Sequence, residues 1–338
     1  MSARPALLPG GRPVRRPRIG LALGSGSARG LAHLGVIRAI ADAGIELDFI
    51  AGTSMGALIG AIHAAGKLDE LEATFQAFDW KKTASFFDVV LPKSGLLDGA
   101  RVSDLVRTLV HAETIEALAR PFAAVATDIV SGEEVVIRSG DVIEAVRASI
   151  SVPGIFTPVR SNGRVLVDGG LTNPVPVSAV RAMGAEFVIA VDLNHQIIAG
   201  KNMKPLLNTA SISGAGDNRA AGAFSRWVGG YRVSMQELKQ KLLAGDDPVA
   251  AQFRKWSSAE PLPSIFEVLL ASINIMETRI TQTRLTLDRP DLLIQPPLGH
   301  IRFLEFGRAE EIIAIGYASA QEALAALPGS MLRAGPDA

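Results

Sequence analysis

The stretch IGLALGSGSARGLAHLGV, residues 19–36, decides the fold, because a short apolar run leads through a glycine-rich loop into a helical pattern. The stretch LDFIAGTSMGALIGAIHAAG, residues 47–66, repeats the arrangement, with GTSMG at residues 52–56 between an apolar run and a second helical pattern. Strand, loop, helix, strand, turn and helix in this order build adjacent parallel strands. The sequence therefore predicts an α/β fold.

The same alternation continues along much of the remaining chain. Further strands are predicted at 122–127, 134–138, 164–167, 187–193 and 292–295, and further helices at 141–148, 175–183, 264–287 and 308–327. Residues 196–264 break the pattern, because they are polar and glycine-rich with one helical pattern at 234–244. We therefore expect one domain over 19–327, interrupted by a flexible or lid-like insertion at about 196–264 and followed by a tail at 328–338.

Composition excludes several classes of protein. A hydrophobic fraction of 48% in 338 residues is enough for a sizeable core. The absence of cysteine excludes a disulfide framework, a thiolate nucleophile and a zinc ribbon. Equal numbers of basic and acidic residues, 34 each, argue against a protein that coats nucleic acid. No apolar run is long enough for a membrane span or a signal peptide, so a cytoplasmic protein is expected.

The first 18 residues form a basic, proline-rich tail. They contain five arginines, four prolines and no acidic residue, a composition that obstructs both helix and sheet. A solvated tail is the interpretation that composition favours. Weak attraction to an anionic membrane surface is the second interpretation.

GTSMG has the form of a nucleophile elbow centred on Ser54. A serine hydroxyl is a poor nucleophile unless it is held exposed beside a base, and a sharp strand-to-helix turn provides that exposure. Gly52 and Gly56, two residues to either side, relieve crowding at the turn. Because a predicted strand precedes the motif and a predicted helix follows it, Ser54 is the candidate nucleophile.

The base that would activate Ser54 is less evident. Downstream histidines, at positions 63, 111, 195 and 300, keep a Ser-Asp-His arrangement open by count. None of these histidines lies in an obvious catalytic loop, and the elbow follows only two predicted strands. Asp168 ends an apolar strand and precedes Gly169 and Gly170, and open α/β sheets place their sites at strand ends. Asp168 is therefore the better candidate.

The loop at residues 24–30 favours an oxyanion site over a nucleotide site. A dinucleotide fingerprint requires a third glycine where Arg29 stands and an acidic residue at the end of the second strand, whereas Asp48 lies near its start. The Lys-Ser/Thr ending of a P-loop is also missing. A glycine loop at a helix start offers free backbone N–H groups, which suit an oxyanion, and Arg29 would add positive charge.

Four motifs in this order resemble the patatin-like phospholipase family: GSGSARGLAHLGV (24–36), GTSMG (52–56), RASISVPGIFTPV (147–159) and VDGGLTNPVP (167–176). The resemblance extends over residues 19–195 and returns at about 264–325. It implies a three-layer α/β/α sandwich around a mainly parallel sheet. It also implies a hydrolase of lipid acyl esters that uses no metal or cofactor.

The resemblance assigns roles to individual residues. It implies a Ser-Asp dyad without histidine, with Ser54 as the nucleophile and Asp168 as its proton acceptor. The glycine loop, with its oxyanion hole in the region of Gly26, Ser27 and Arg29, would comprise Gly24, Ser25, Gly26, Ser27, Arg29 and Gly30. Many relatives have glycine where this chain has Ser25 and Ser27, so the oxyanion geometry depends on the backbone at these two positions.

The expected function is release of fatty acid from phospholipid or lysophospholipid through an acyl-enzyme on Ser54. A soluble carboxylesterase and a binding or regulatory protein of the same fold are the alternatives. In the irregular segment, Trp227 and Trp256 accompany nine basic and five acidic residues. That mixture suits either a lid at a lipid interface or a flexible insertion without contact to substrate.

Overall fold

A computed structural model describes residues 16–76, 99–196 and 265–327 of the chain. Its strands are β1 (Ile19–Leu23), β2 (Phe49–Thr53), β3 (Phe122–Asp128), β4 (Glu134–Ile137), β5 (Val159–Ser161), β6 (Arg164–Asp168), β7 (Phe187–Val191) and β8 (Leu292–Ile294). Within the described ranges they form one sheet in the order β5-β6-β3-β2-β1-β7-β8, with β4 also paired to β3.

The sheet is mainly parallel, as the sequence predicts. Strand β1 pairs in parallel with both β2 and β7, and the parallel ladder continues from β2 to β3 and from β7 to β8. Strands β4 and β6 are antiparallel to β3, and β5 is antiparallel to β6.

Helices cover both faces of the sheet. The helices in the described ranges are α1 (Ala32–Asp42), α2 (Met55–Ala64), α3 (Leu68–Gln76), α4 (Ala100–Leu109), α5 (Val142–Ser149), α6 (Val177–Met183), α7 (Ile265–Leu287) and α8 (Ala309–Ala325). Bulky side chains such as Leu21 and Ile50 pack against the layer that contains α1, α2 and α8. Alanines of the central strands face α6, where a Cβ at Gly20 would lie 2.0 Å from Val180 Cγ1. The three-layer sandwich is thus confirmed.

The two edges of β3 determine how β2, which precedes Ser54, and β6, which ends at Asp168, meet. Strand β4 occupies one edge of β3 along residues Ala124–Thr127. Strand β2 pairs with Phe122–Val125 and β6 pairs with Ala126–Asp128, and each of these ranges overlaps that of β4. Because a strand has only two edges, β2 and β6 must share the other one.

Strands β2 and β6 therefore approach each other end to end along β3. The last residue of β2, Thr53, is opposite Val125, and the last residue of β6, Asp168, is opposite the next residue, Ala126. The chain turns away at both points. This head-on meeting brings Ser54, which follows β2, to Asp168.

Several sequence expectations need correction. Helices α3 and α4 and strand β5 are additional elements, and the boundaries of the predicted elements shift by up to two residues. Asp141, expected as the first helical residue, is the N-cap of α5, and its side chain accepts from the amides of Ile143 and Glu144. A strand was expected to extend to Leu193, but β7 ends at Val191.

The tails and the insertion fall largely outside the described residues. This applies to residues 1–15, to 328–338 and, apart from Gln196, to the expected insertion with its helix at 234–244. The last residues of the basic stretch are described. Arg16 forms an ion pair of 2.7 Å with Asp48, which also accepts a hydrogen bond from the amide of Ile19.

Candidate active site

Ser54 occupies a strained turn between β2 and α2. Its φ of 58° and ψ of −123° lie in a region that non-glycine residues rarely adopt. A Cβ at Gly52 would lie 2.1 Å from the carbonyl oxygen of Gly56, and one at Gly56 would lie 2.1 Å from that of Leu23. Both positions therefore exclude a side chain. The predicted strand-turn-helix geometry is present, with Ser54 at its apex.

The Ser54 hydroxyl points directly at Asp168. Ser54 Oγ donates a hydrogen bond of 2.6 Å to Asp168 Oδ2, and the amide of Gly170 donates one of 2.7 Å to Asp168 Oδ1. The backbone of Asp168 is held on both sides, because Thr127 Oγ1 donates to its carbonyl oxygen and its own amide donates to Ser151. Both carboxylate oxygens thus have a fixed orientation.

The glycines after Asp168 are required by close packing. A Cβ at Gly169 would lie 2.2 Å from the carbonyl oxygen of Val125, and one at Gly170 would lie 2.2 Å from Glu277 Oε1. The tight turn therefore brings the amide of Gly170 within reach of Asp168.

Burial changes the basicity of Asp168. Removal from water raises the pKa of this carboxyl to about 6, although the hydrogen bonds from Ser54 and Gly170 act in the opposite direction. An ordinary aspartate, with a pKa of about 3.9, is a weak proton acceptor. At neutral pH Asp168 is mostly ionised, yet it binds a proton more readily than an exposed aspartate would.

The glycine loop packs directly on the elbow, and two of its amides lack an acceptor within the described part of the chain. A Cβ at Gly30 would lie 2.4 Å from Met55 Cβ, immediately after Ser54. The amides of Gly24 and Ser25 donate to the carbonyl oxygens of Val191 and Pro174. Those of Gly26 and Ser27 have no acceptor among the residues that the structure describes. They are the amides available to an anionic oxygen.

Ser27 adopts the left-handed conformation that favours glycine. Its φ is 48°, whereas the φ of Gly26, 168°, lies outside the left-handed range. The strain foreseen for a serine with positive φ therefore applies to Ser27. It does not apply to Ser25, which is not among the positive-φ residues of the described chain.

Arg29 contacts a different part of the site from the one that sequence suggests. Its guanidinium group is buried and donates to Asn274 Oδ1 on α7 and to the carbonyl oxygen of Ile301, at 3.1 and 3.2 Å. Burial lowers its pKa to about 10, so the group stays protonated at neutral pH. Its hydrogen bonds thus tie the glycine loop to α7.

Sequence reasoning missed two polar side chains of the site. Ser149 accepts a hydrogen bond of 2.9 Å from the amide of Ser54 and donates one of 2.6 Å to the carbonyl oxygen of Val125. Its signal was its place in the third family motif. Glu277, in α7, accepts hydrogen bonds from Ser25 and Asn194. It lies in a long helix without a motif, so nothing in the sequence pointed to it.

The histidines lie apart from the Ser54–Asp168 pair. In the described ranges, which include all five histidines, none forms a hydrogen bond with Ser54 or Asp168. His33 Nε2 lies 2.8 Å from the carbonyl oxygen of Gly24, and burial lowers the pKa of His33 to about 4. His33 therefore contacts the backbone of the glycine loop and not the Ser54–Asp168 pair.

The described residues contain neither a metal-binding cluster nor a membrane-spanning helix. No group of three or more histidine, aspartate or glutamate side chains there could hold a metal ion. No helix in the same ranges combines the length and the apolar character needed to cross a membrane.

Comparison with known proteins agrees with the sequence motifs. A family model described as "Patatin-like phospholipase" matches residues 21–181. An uncharacterized NTE family protein of Mycobacterium tuberculosis is 33% identical over 333 residues, which cover 92% of each chain. Patatin-like phospholipase domain-containing protein 6 of Mus musculus is 33% identical over 185 residues, which cover 53% of this chain and 14% of the mouse protein.

A solved structure, that of VipD from Legionella pneumophila, aligns with 92% of this chain and 67% of its own chain. The TM-score is 0.41 and the sequence identity is 14%. The match to the M. tuberculosis protein spans nearly the full length of both chains. Together with the family match over the elbow and the glycine loop, it shows that the chain belongs to the patatin-like phospholipase family.

Proposed function

We propose that this protein is a serine hydrolase that releases fatty acid from phospholipid or lysophospholipid through Ser54 and Asp168. Family membership supports lipid acyl hydrolysis in general terms. The observation that carries the specific proposal is the 2.6 Å hydrogen bond from Ser54 Oγ to Asp168 Oδ2 at a strained elbow. A nucleophile within hydrogen-bond reach of an oriented base is the arrangement that nucleophilic catalysis requires.

The first half of the reaction forms an acyl-enzyme. Ser54 Oγ attacks the ester carbonyl carbon while its proton passes to Asp168 Oδ2. The tetrahedral intermediate collapses with cleavage of the ester C–O bond, and the leaving alkoxide takes the proton from Asp168. The products of this step are the alcohol part of the lipid and an acyl ester on Ser54.

The second half releases the fatty acid. Asp168 accepts a proton from water, whose oxygen attacks the acyl carbonyl carbon. Collapse of this second intermediate cleaves the bond to Ser54 Oγ, which recovers the proton from Asp168. The fatty acid leaves, and both side chains return to their starting state.

In each half-reaction the carbonyl oxygen becomes negatively charged, and two backbone amides are candidate hydrogen-bond donors to it. These are the amides of Gly26 and Ser27, which lack an acceptor in the described part of the chain. Loss of one oxyanion donor in a serine hydrolase costs about 2.7–4 kcal/mol. The N-terminus of α2, which begins directly after Ser54, adds a favourable dipole.

Contact with a lipid surface is part of the proposal. Strand β3 continues three residues beyond Val125, which pairs with the end of β2, into a turn that carries Ile129 and Val130. At roughly 3.3 Å per residue, this turn lies about 10 Å beyond the level of Thr53, the residue before Ser54, at the end of the sheet where β2 and β3 terminate. Ile129 is 51% exposed and Val130 80% exposed. Adjacent exposed apolar residues suit insertion into a lipid interface.

A fluorophosphonate probe tests the activated serine. The purified protein is labelled, the adduct is located by peptide mass spectrometry, and fatty acid release is measured from phosphatidylcholine vesicles and from a soluble short-chain ester. We expect an adduct on Ser54, loss of labelling in Ser54→Ala, and unchanged labelling in Ser131→Ala, a matched control at an exposed serine.

The outcomes separate the candidate functions. Release from vesicles supports the lipid hydrolase. Turnover of the soluble ester alone would make the protein a carboxylesterase. Absence of an adduct in folded protein would contradict hydrolysis by Ser54 and favour a binding or regulatory protein of the same fold.

A further inference from the structure

Glu277 brings a second buried carboxyl group into the site. It lies on α7 and is 5% exposed. Its Oε2 accepts a hydrogen bond of 3.0 Å from Ser25 Oγ and one of 3.1 Å from Asn194 Nδ2. Asn194 Nδ2 also lies 3.1 Å from Ser25 Oγ, so the three side chains form a closed triangle. Glu277 thereby connects α7 to the loop that contains the unpaired amides.

The other oxygen of Glu277 faces Asp168 across Gly170. A Cβ built on Gly170 would lie 2.2 Å from Glu277 Oε1 and 3.1 Å from Asp168 Oδ1. The two carboxyl groups therefore flank the same glycine, and no side chain fits between them. When two buried carboxyl groups flank one residue, the charge of the first to ionise disfavours ionisation of the second.

The charges around Glu277 decide which group carries the proton. In the described residues the charged groups that act on it are Asp168 and Arg29. Asp192 in turn acts on Arg29, which donates to Asn274, one turn earlier on α7. Burial and the charge of Asp168 raise the pKa of Glu277 to about 8, despite Arg29 and the hydrogen bonds from Ser25 and Asn194. Asp168, stabilised by donors from Ser54 and Gly170, ionises first.

We propose that Glu277 is a positioning residue that works in its neutral form, holding the glycine loop through Ser25 while Asp168 alone is ionised. Because Oε2 accepts both hydrogen bonds, the proton belongs on Oε1, the oxygen beside Gly170. Ionisation would place negative charges on both sides of Gly170. Their repulsion would act on the Gly170 amide that orients Asp168 and on Ser25 in the glycine loop. This inference rests on the proposed hydrolase function.

Two substitutions distinguish a neutral from a charged role. Glu277→Gln is uncharged and nearly isosteric, and its amide oxygen can still accept from Ser25 and Asn194. Glu277→Ala removes that acceptor, so the buried Ser25 hydroxyl and one N–H of Asn194 lose their partner, while Asn194 Nδ2 can still donate to Ser25 Oγ. Using phosphatidylcholine vesicles at pH 7, we expect the Gln variant to retain kcat within about threefold of wild type. We expect the Ala variant to lose at least about tenfold, mainly in kcat.

The pH profile adds a readout that a merely structural role would not change. The wild-type kcat/KM should decline above pH about 8, where Glu277 ionises, and the Gln variant should lack this decline. A matched control is Glu72→Gln, which neutralises another buried carboxyl, one that pairs with Arg38 on the α1 side of the sheet. The kcat/KM of Glu72→Gln should decline above pH about 8 as that of wild type does.

Thermal unfolding tests the protonation of Glu277 without requiring activity. Because the folded-state pKa is raised from 4.5 to about 8, wild-type stability falls as pH rises between these values. The Tm of Glu277→Gln should therefore exceed that of wild type increasingly from pH 5 to pH 8.

The inference is overturned if Glu277→Gln is as impaired as Glu277→Ala, since the charge would then be needed. It is also overturned if the Ala variant equals wild type, or if no Tm difference develops between pH 5 and pH 8. Failure of wild type to react with the fluorophosphonate probe would instead contradict the proposed hydrolase, while the unfolding measurement would still report on Glu277.

Discussion

Replacement of Asp168 by asparagine should abolish turnover while making the protein more stable. Asparagine keeps the shape of the side chain, because its oxygen can accept from the Gly170 amide and its nitrogen can donate to Ser54 Oγ. It cannot take the proton of Ser54. General-base catalysis contributes about 10²–10⁴-fold, so we expect kcat/KM to fall by at least about 10²-fold.

The gain in stability follows from the cost of a buried charge. A pKa raised from 3.8 to about 6 means that ionised Asp168 weakens the folded state by about 3 kcal/mol. The second amide hydrogen of asparagine lacks an evident acceptor, which reduces the gain by about 1 kcal/mol. The remaining 2 kcal/mol or so corresponds to a rise in Tm of about 5 °C for a domain of this size.

The pH dependence has a definite sign. A carboxyl whose folded-state pKa is raised binds more protons in the folded state between pH 3.8 and about 6, so wild-type stability is lost across this window as pH rises. The Tm advantage of Asp168→Asn should therefore be small at pH 4 and complete by pH 7. Asparagine removes the group that titrates, so the variant lacks this component of the pH dependence.

The assay combines thermal unfolding at pH 4 to 7.5 with fatty acid release at pH 7.5. Asp128→Asn is the matched control, since Asp128 is a buried carboxyl at the end of β3 whose acceptor role toward the amide of Val130 asparagine can retain. Its activity should equal that of wild type. A folded Asp168→Asn variant with retained turnover would refute the role of Asp168 as base. A variant less stable than wild type at pH 7.5 would refute the buried-charge argument.

Two further predictions concern the loop and the lipid surface. Ser27→Gly relieves a positive φ that costs a non-glycine residue about 1 kcal/mol, so its Tm should rise by about 2 °C without loss of kcat/KM; a lower Tm would contradict the strain. The double substitution Ile129→Ser and Val130→Ser should reduce hydrolysis of vesicles several-fold and leave hydrolysis of a soluble ester unchanged. An equal loss on both substrates would indicate damage to the site instead of loss of membrane contact.

The elbow and the glycine loop were predictable because each is a local structure. The residues of GTSMG determine the turn at Ser54 among themselves, through backbone approaches that exclude side chains at Gly52 and Gly56. The sequence also points to Asp168 as the end of an apolar strand, and Asp168 is the last residue of β6. The pattern does not indicate that β6 is antiparallel to β3 and meets β2 end to end. The catalytic roles of these residues stay a prediction.

The parts of the site that were missed depend on contacts between distant segments. Ser149 reaches the amide of Ser54 because α5 packs beside β3, and Glu277 reaches Ser25 because α7 crosses the glycine loop. Neither helix is marked by a spacing of residues that would indicate its partner. The contacts of Arg29 with α7 were missed for the same reason. Pairing between elements, which periodicity does not encode, determines these positions.

The two serines of the glycine loop differ in their structural consequences. Ser25 is not among the described residues with a positive φ, and its hydroxyl donates to Glu277 and contacts Asn194, so replacement by glycine would leave Glu277 with one donor fewer. Ser27 adopts a positive φ, and no hydrogen bond of its hydroxyl in the described residues compensates for the strain. The first serine therefore belongs to the network around Glu277. The second is a local cost that glycine would remove, so similar departures from the family pattern have opposite expected effects.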